Sequence, residues 1–450
     1  MSKSIASLFI SIVTSLVLTS TSYAHIYEFT NDNKLTLLQD ARAAVDLKLE
    51  LVRNAKHHIH IMTYYWDKAG YPLELIKELK LAHDRGVDVR IMTTFIPSFV
   101  MDLLSTSKET LFKGNLHLTP AVLSYLRMVP GNHQALTNNV HEKIFLVDGK
   151  AAILGGRNIS DNDYRAKDLE VKLEGAVVNE VQAHFEAMFS FFIDIKRKSR
   201  CYDEDNIECV QEFEKLKFSS HDKLFYPEQP KFESGAKARI LTNEVLIQQY
   251  QHNYFGRERF TKMKDDIIDS VIKTQFTRMR GYNYFIMPIP RYKKFLEDNL
   301  ALGKQMEIMT NSMTTSKAIS DKGYLYGLPE MKNLVEKGLS IHQWLGETKI
   351  AEDRLFYLHE KVMLFDDDHG FIGSHNFGLG STSVSSEIAI EFYSKPIVDT
   401  LVNVFDKEFE DTAISKEATL PMINQEMQDN KKMIRLLQTG FIKTITSELY

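Results

Sequence analysis

The sequence predicts an α/β protein whose two homologous halves share one site. Three observations predict it: a strand–helix–strand succession early in each half, a polar signature repeated with the same internal spacing, and ordinary globular composition. The chain has 450 residues, with 55 Lys+Arg against 60 Asp+Glu and a net charge of −5. At roughly 150 residues per domain that length accommodates two to three domains. Hydrophobic residues at 44% and charged residues at 26% argue against a disordered chain. The near-neutral balance lacks the basic excess of a general nucleic-acid binder, so no nucleic-acid partner is expected. Two cysteines cannot build a disulfide scaffold or a four-thiolate zinc site.

The strand–helix–strand unit is clearest in AKHHIHIMTYYWDKAGYPLELIKELKLAHDRGVDVRIM. Alternation from His58 to Met62 predicts a strand and Leu73 to Ala82 has helical periodicity. Gly86 stands where a helix-ending glycine belongs, and Val87 to Met92 reads as the next strand. A short link of this kind is the mark of a parallel βαβ unit. The second half carries a weaker version. There Phe285 to Met287 is strand-like, Tyr292 to Leu302 helical, and Met306 to Thr310 the second strand.

The repeat sharpens in VHEKIFLVDGKAAILGGRNISDNDY and LHEKVMLFDDDHGFIGSHNFGLGS. Both contain H-x-K-x4-D, as His141/Lys143/Asp148 and His359/Lys361/Asp366. Gly155 and Gly373 follow their histidines by 14 residues, and Asn158 and Asn376 by 17. Asp168 with Glu170, and Glu387, are the next acidic groups. One such motif carries a real false-positive risk, but two with matching offsets do not arise that way. On a strand, His and Lys two residues apart share a face and the Glu between them takes the other. Two such strands about a pseudo-twofold axis converge two imidazoles and two ammoniums, and the asparagines add amide donors. That set suits a phosphodiester and its developing charge. One imidazole can attack phosphorus and the other protonate the departing alkoxide, with the lysines supplying the electrostatics and no metal or cofactor required. An acid beside each His would fix its tautomer.

These residues resemble the phospholipase D superfamily, defined by a duplicated H-x-K-x4-D followed by G-[GS]-x-N. The run GGRNISDNDYRAKDLEVKLEGAVVNEV is similar to its bacterial cardiolipin-synthase and phospholipase D branch. The resemblance implies two lobes, each a mixed sheet flanked by helices, related by a pseudo-twofold axis with one shared active site. It implies His141 as nucleophile and His359 as general acid/base, with Lys143, Lys361, Asn158 and Asn376 holding phosphate. Asp148 and Asp366 are structural by the same comparison, and Asp168 and Glu387 orient the histidines. Thr93 and Thr94 stand where the family often has an acidic residue, and the second motif lacks a following Arg.

The remaining expectations concern compartment and substrate. Lys3, an apolar run from Ile5 to Leu18 and Ser22-Tyr23-Ala24 form a signal-peptide pattern with cleavage after Ala24. That run is shorter than the ~20 residues a membrane span needs. A secreted or periplasmic protein is therefore expected, and Cys201 with Cys209 could close a short disulfide loop there. The acidic residues inside that loop read as a solvated turn rather than a calcium site. The segment Ile96 to Gly131 is rich in Phe, Leu and Val and reads either as core helices or as an apolar lid toward lipid. His57, His58 and His60 read as strand plus surface, and Tyr64, Tyr65 and Trp66 as cleft lining or a cap on the sheet. The expected organisation is a signal peptide (1–24), an N-terminal lobe (25–195), a connection (196–240), a C-terminal lobe (241–410) and a helical tail (411–450). The expected function is an exported phospholipase D, monomeric, meeting a phospholipid membrane surface as its substrate and needing no obligate protein partner. A cardiolipin-synthase-type transferase and a nuclease of the same superfamily are the alternatives.

Overall fold

A computed structural model describes residues 27–66, 70–93, 117–118, 139–200, 207–214, 226–243, 245–252, 263–316, 321–346 and 357–439. The signal pattern, nearly all of the apolar segment from Ile96 to Gly131, and Cys201 with most of its acidic loop lie outside them. The strands of the first half are β1 (Thr30–Leu38), β2 (His58–Thr63), β3 (Asp88–Thr93), β4 (His117–Leu118), β5 (Asn139–Val140), β6 (Ile144–Val147), β7 (Ala151–Gly155) and β8 (Glu170–Glu174). Those of the second are β9 (Ala236–Thr242), β10 (Arg278–Tyr282), β11 (Gln305–Asn311), β12 (Ser340–Trp344), β13 (Val362–Phe365), β14 (His369–Gly373), β15 (Ser385–Ser386), β16 (Ile388–Tyr393) and β17 (Ser415–Glu417).

All but β5 and β15 join one mixed sheet. Its order is β4-β3-β2-β6-β7-β8-β1 in the first half and β9-β16-β14-β13-β10-β11-β12-β17 in the second. The two series are the same succession read in opposite directions from the centre. They meet where β1 pairs antiparallel with β9, which sets the pseudo-twofold relation. Parallel pairing is confined to β2–β3–β4 and β10–β11–β12 within the sheet, and helices supply the crossovers from β2 to β3, β10 to β11 and β11 to β12. Helix Tyr71–Asp84 connects β2 to β3, and Gly86 follows its cap at φ 91° as the sequence predicts.

One apolar cluster spans the junction. Helix Val177–Arg200 presents Val177, Val181, Phe185 and Phe189 at four-residue steps, a single helical face. Helix Lys395–Glu410 presents Val398, Leu401 and Phe405, and both stripes pack with Leu173, Ala238, Ile240 and Ile390 from central strands of both halves. Burial of these side chains, at about 25 cal/mol per Å², joins the halves into one folding unit. The tail belongs to the second half. β17 extends the sheet beside β12, Tyr324 donates to Glu426 at 2.6 Å, and Gln438 donates to the Tyr326 carbonyl at 2.9 Å.

Four sequence expectations need correction. The boundary at 195 falls inside helix Val177–Arg200 and that at 240 inside β9, because both elements carry buried faces at the junction. The first strand of the second βαβ unit is Arg278–Tyr282, ahead of Phe285 to Met287. Its arginines hide the alternation, but Arg278 pairs with Glu307 at 2.7 Å and Arg280 with Asp406 at 2.7 Å. His58 and His60 are buried rather than superficial, stacked on one another with His60 also stacked on Phe185. Burial pushes the His58 imidazole down to about 3. Finally, His141–Lys143 and His359–Lys361 lie just ahead of β6 and β13 rather than within them, since each segment leaves its own sheet ladder to bond the opposite half.

Asp148 and Asp366 hold the strands behind the site. Each stands at positive φ (52° and 49°) in the turn after the motif strand, a conformation Asp tolerates better than most residues. Asp148 accepts the N–H groups of Lys56, His57 and His58 at 2.9, 2.7 and 3.0 Å. Asp366 accepts from the N–H and hydroxyl of Thr277 and from Arg278 N–H, between 2.6 and 2.9 Å. Asp148 is the more buried, so Asp148→Ala is expected to cost about 3 kcal/mol in urea unfolding and Asp366→Ala about 1 kcal/mol.

Candidate active site

The histidine segments cross between halves. His141 N–H donates to the Ser386 carbonyl at 3.0 Å, continuing the parallel β5–β15 pairing. His359 N–H donates to the Lys167 carbonyl at 2.8 Å, beside a parallel bridge between Lys167 and Leu358. The side chains repeat the exchange. His141 Nδ1 is 2.9 Å from Glu387 Oε2, and His359 Nδ1 is 2.7 Å from Asp168 Oδ2. Each motif histidine is thus oriented by the acid of the other half. Both carboxylates are fully buried, while the imidazoles keep 14% and 10% of their side-chain surface. With Nδ1 committed to a carboxylate, Nε2 is the reactive atom of each ring.

The glycines explain how the acids come so close. A Cβ on Gly155 would lie 2.3 Å from the Leu169 carbonyl oxygen, and one on Gly373 would lie 2.4 Å from that of Ile388. Only glycine lets these strand ends touch the segments that carry Asp168 and Glu387. The next residue differs between halves. A Cβ on Gly156 would overlap Asp168, whereas Ser374 donates its hydroxyl to Glu387.

The lysines are buried and their ammoniums donate to the carbonyl of the histidine two residues earlier, at 2.6 Å for Lys143, with the same bond in Lys361. Tyr64 and Tyr284, each just past its strand, stand edge-on to His141 and His359 with ring centroids 5.0 and 5.1 Å away. The Lys143 and Lys361 ammoniums lie 5.8 and 5.4 Å from the centroids of the same two rings. Tyr64 is therefore a wall of the site; Trp66 is buried and bridges to Ile159.

The asparagines stand at equivalent points with different partners. Asn158 donates its backbone N–H and its side-chain amide to Asp163 Oδ2, at 2.9 and 2.6 Å. Asn376 N–H donates instead to Ser381 Oγ at 3.0 Å. Asp163 also accepts from Tyr357 OH at 2.8 Å, across the junction. Neither Asp163 nor Tyr357 was picked out in the sequence reading. The available signal was an oxygen-bearing side chain five residues after each motif asparagine. Arg157 was also passed over: it donates to the carbonyls of Leu38 and Gln39 at 2.8 Å each and to that of Asp168, tying β1 to the orienting acid. Cys209 is disulfide-bonded. Among the described residues no group of three or more His, Cys, Asp or Glu is arranged to hold a metal.

Burial first, and then mutual charge, sets the protonation of the free site. Burial lowers the His141 imidazole against the pull of Glu387, and Lys143 and Lys361 add to the lowering. Burial and Lys361 push His359 well down, with Lys143 and His141 adding to it. That each imidazole feels the other half's lysine places all four groups in one site. Burial holds Lys143 down to about 7 and Lys361 to about 8. Burial opposes ionisation of Glu387, but His141 and Lys143 outweigh it and keep its carboxyl below the usual range.

A family profile described as "Cardiolipin synthase, PLD-like domain" matches residues 49–190 and again 267–410. The chain belongs to the phospholipase D superfamily. Cardiolipin synthase C of Escherichia coli is 23% identical over 407 residues, covering 83% of each chain. Cardiolipin synthase 1 of Staphylococcus epidermidis is 22% identical over 424 residues, 93% of this chain and 74% of that one. An uncharacterised protein of Helicobacter pylori is 25% identical over 402 residues, 80% of this chain and 76% of its own. Among solved structures, phosphatidylserine synthase of Haemophilus influenzae superposes with a TM-score of 0.58 at 13% identity, covering 94% and 97% of the two chains, so the fold is shared end to end. The chain is a phosphodiester-acting enzyme of this superfamily.

The depressed lysines give a pH prediction. As pH rises through 7 to 8 the free enzyme loses the ammoniums that attract an anionic phosphodiester, so kcat/KM should fall there. A bound anion holds those protons on, so kcat should persist to higher pH. His141 must attack as the neutral ring, and burial lowers its imidazole, so the acid limb should lie below the ordinary histidine value of about 6.5. A pH–rate profile on dispersed phospholipid checks both limbs, and a kcat/KM flat to pH 9 contradicts the assignment.

Proposed function

We propose that the enzyme takes the phosphatidyl group of a glycerophospholipid onto His141 and passes it to a hydroxylic acceptor. The observation that carries this reading is the pair of crossed carboxylate–imidazole bonds, which leaves two Nε2 atoms and two ammoniums in one buried site. In the first step His141 Nε2 attacks phosphorus, the bond from phosphorus to the head-group oxygen breaks, and protonated His359 delivers its proton to that oxygen. Burial and Lys361 oppose the charge on His359 in the empty site, whereas Asp163 and the anionic substrate favour it. In the second step His359 removes the proton of an acceptor hydroxyl, whose oxygen attacks phosphorus and expels His141. Lys143 and Lys361 stabilise the charge on the non-bridging oxygens in both steps.

Water as acceptor makes this a phospholipase D, and an alcohol makes it a phosphatidyltransferase. The relatives named cardiolipin synthase, matched over most of their length, favour an alcohol acceptor of the phosphatidylglycerol kind. The export pattern at the N-terminus favours a protein working outside the cytoplasm, where hydrolysis is the simpler outcome. Among the described residues no helix is long and apolar enough to cross a membrane. The extent of the match to the synthases favours transfer to an alcohol.

Product analysis on vesicles of phosphatidylglycerol and phosphatidylethanolamine, with and without added glycerol, separates these outcomes. The expected products are cardiolipin with free glycerol, unaffected by EDTA, and phosphatidate where water competes. His141→Ala and His359→Ala should fold and each lose about 10⁴-fold or more in turnover. Phosphatidate alone under every condition returns the assignment to a hydrolase. Cleavage of DNA with every phospholipid spared removes the lipid substrate.

A further inference from the structure

Lys167 is a half-buried ammonium that the two-histidine chemistry does not use, and it reaches from the first half into the second. Its Nζ lies 3.0 Å from Glu360 Oε1 and 3.0 Å from Glu408 Oε1. The ammonium also sits 4.7 Å from the Tyr282 ring centroid and 5.5 Å from that of Trp344. The two carboxylates outweigh burial and keep it charged. Its backbone acts on the same target. Lys167 N–H donates to the Tyr357 carbonyl at 2.8 Å, and its carbonyl accepts His359 N–H at 2.8 Å. Three bonds from one residue therefore converge on residues 357 to 360, and its neighbour Asp168 holds the His359 ring.

Among the described residues the other motif has no such clamp. The residue equivalent to Lys167 is Ser386, whose carbonyl takes His141 N–H but whose side chain is short. Glu142, the counterpart of Glu360, is held instead by His184 of its own half at 2.7 Å. A charged side chain thus crosses the junction behind His359 and not behind His141. Burying an ion triad contributes little net stability, since desolvation offsets the attraction. What it supplies is a fixed position, and His359 is the group that must face first a leaving oxygen and then an acceptor.

We propose that Lys167 is a positioning residue for His359, clamping the segment from Tyr357 to Glu360 through its ammonium and its backbone. The proposal rests on the two-histidine reading above. Lys167→Met is expected to lower kcat about 100-fold, as a displacement of about 1 Å does, with KM within about twofold of wild type. A cavity of about 660 Å³ lined by Lys167, Glu360 and Glu408 leaves room for a guanidinium, so Lys167→Arg should recover kcat to within about fivefold. If Lys167→Met does not fold, the variant Lys167→Met/Glu360→Gln/Glu408→Gln removes the buried charges together. It should fold and keep the low kcat. Wild-type kcat in a folded Lys167→Met, or stability and kcat restored together in the triple variant, overturns the proposal. Failure of the two-histidine reading looks different: His141→Ala and His359→Ala then keep their turnover.

Discussion

The two carboxylate–imidazole bonds that cross the junction are the constraint on which the rest of the structure depends. Glu387 holds His141 and Asp168 holds His359, so neither half contains a complete site. Each half by itself carries an imidazole without its acid and an acid without its imidazole. Each crossed bond forms only when the halves meet, which ties assembly of the site to assembly of the fold. The continuous sheet through β1 and β9, the apolar cluster shared by two long helices, and the glycines at 155 and 373 all serve that one distance.

Around this symmetric centre the halves differ, and the differences fall on particular positions. Asp163 meets Asn158 where Ser381 meets Asn376. Arg157 grips backbone carbonyls where His375 pairs with Asp265. Asp163 adds a negative charge on the side of His359, raising that imidazole against the effect of the lysines. Duplication therefore supplies two equivalent imidazoles, and the unequal surroundings separate their roles. A nucleophile and a proton carrier need different environments, as paired titratable groups in other sites do.

Much of the centre was legible because the motif is local and repeated. His, Lys, Gly and Asn recur at fixed offsets, and those offsets depend only on a strand, a turn and a second strand. The fold followed from the same repeat. The partners of the histidines were narrowed to Asp168 and Glu387, but which acid serves which ring depends on how the halves meet, and spacing within a half carries nothing about that. Lys167 and Tyr357 were hidden for the same reason, since each acts across the junction. The strand at Arg278–Tyr282 was missed because its charged residues are neutralised by Glu307 and Asp406, which are distant in sequence.

The crossed pairing can be measured directly from the ¹⁵N–¹H correlation spectra of the two imidazoles, which report tautomer and the strength of the Nδ1–H bond. Both rings are expected to carry their proton on Nδ1. Glu387→Gln should alter the His141 signal and leave His359 in place, and Asp168→Asn should do the converse. Signals that respond to the acid of the same half, His141 to Asp168 and His359 to Glu387, contradict a site built by exchange between the halves.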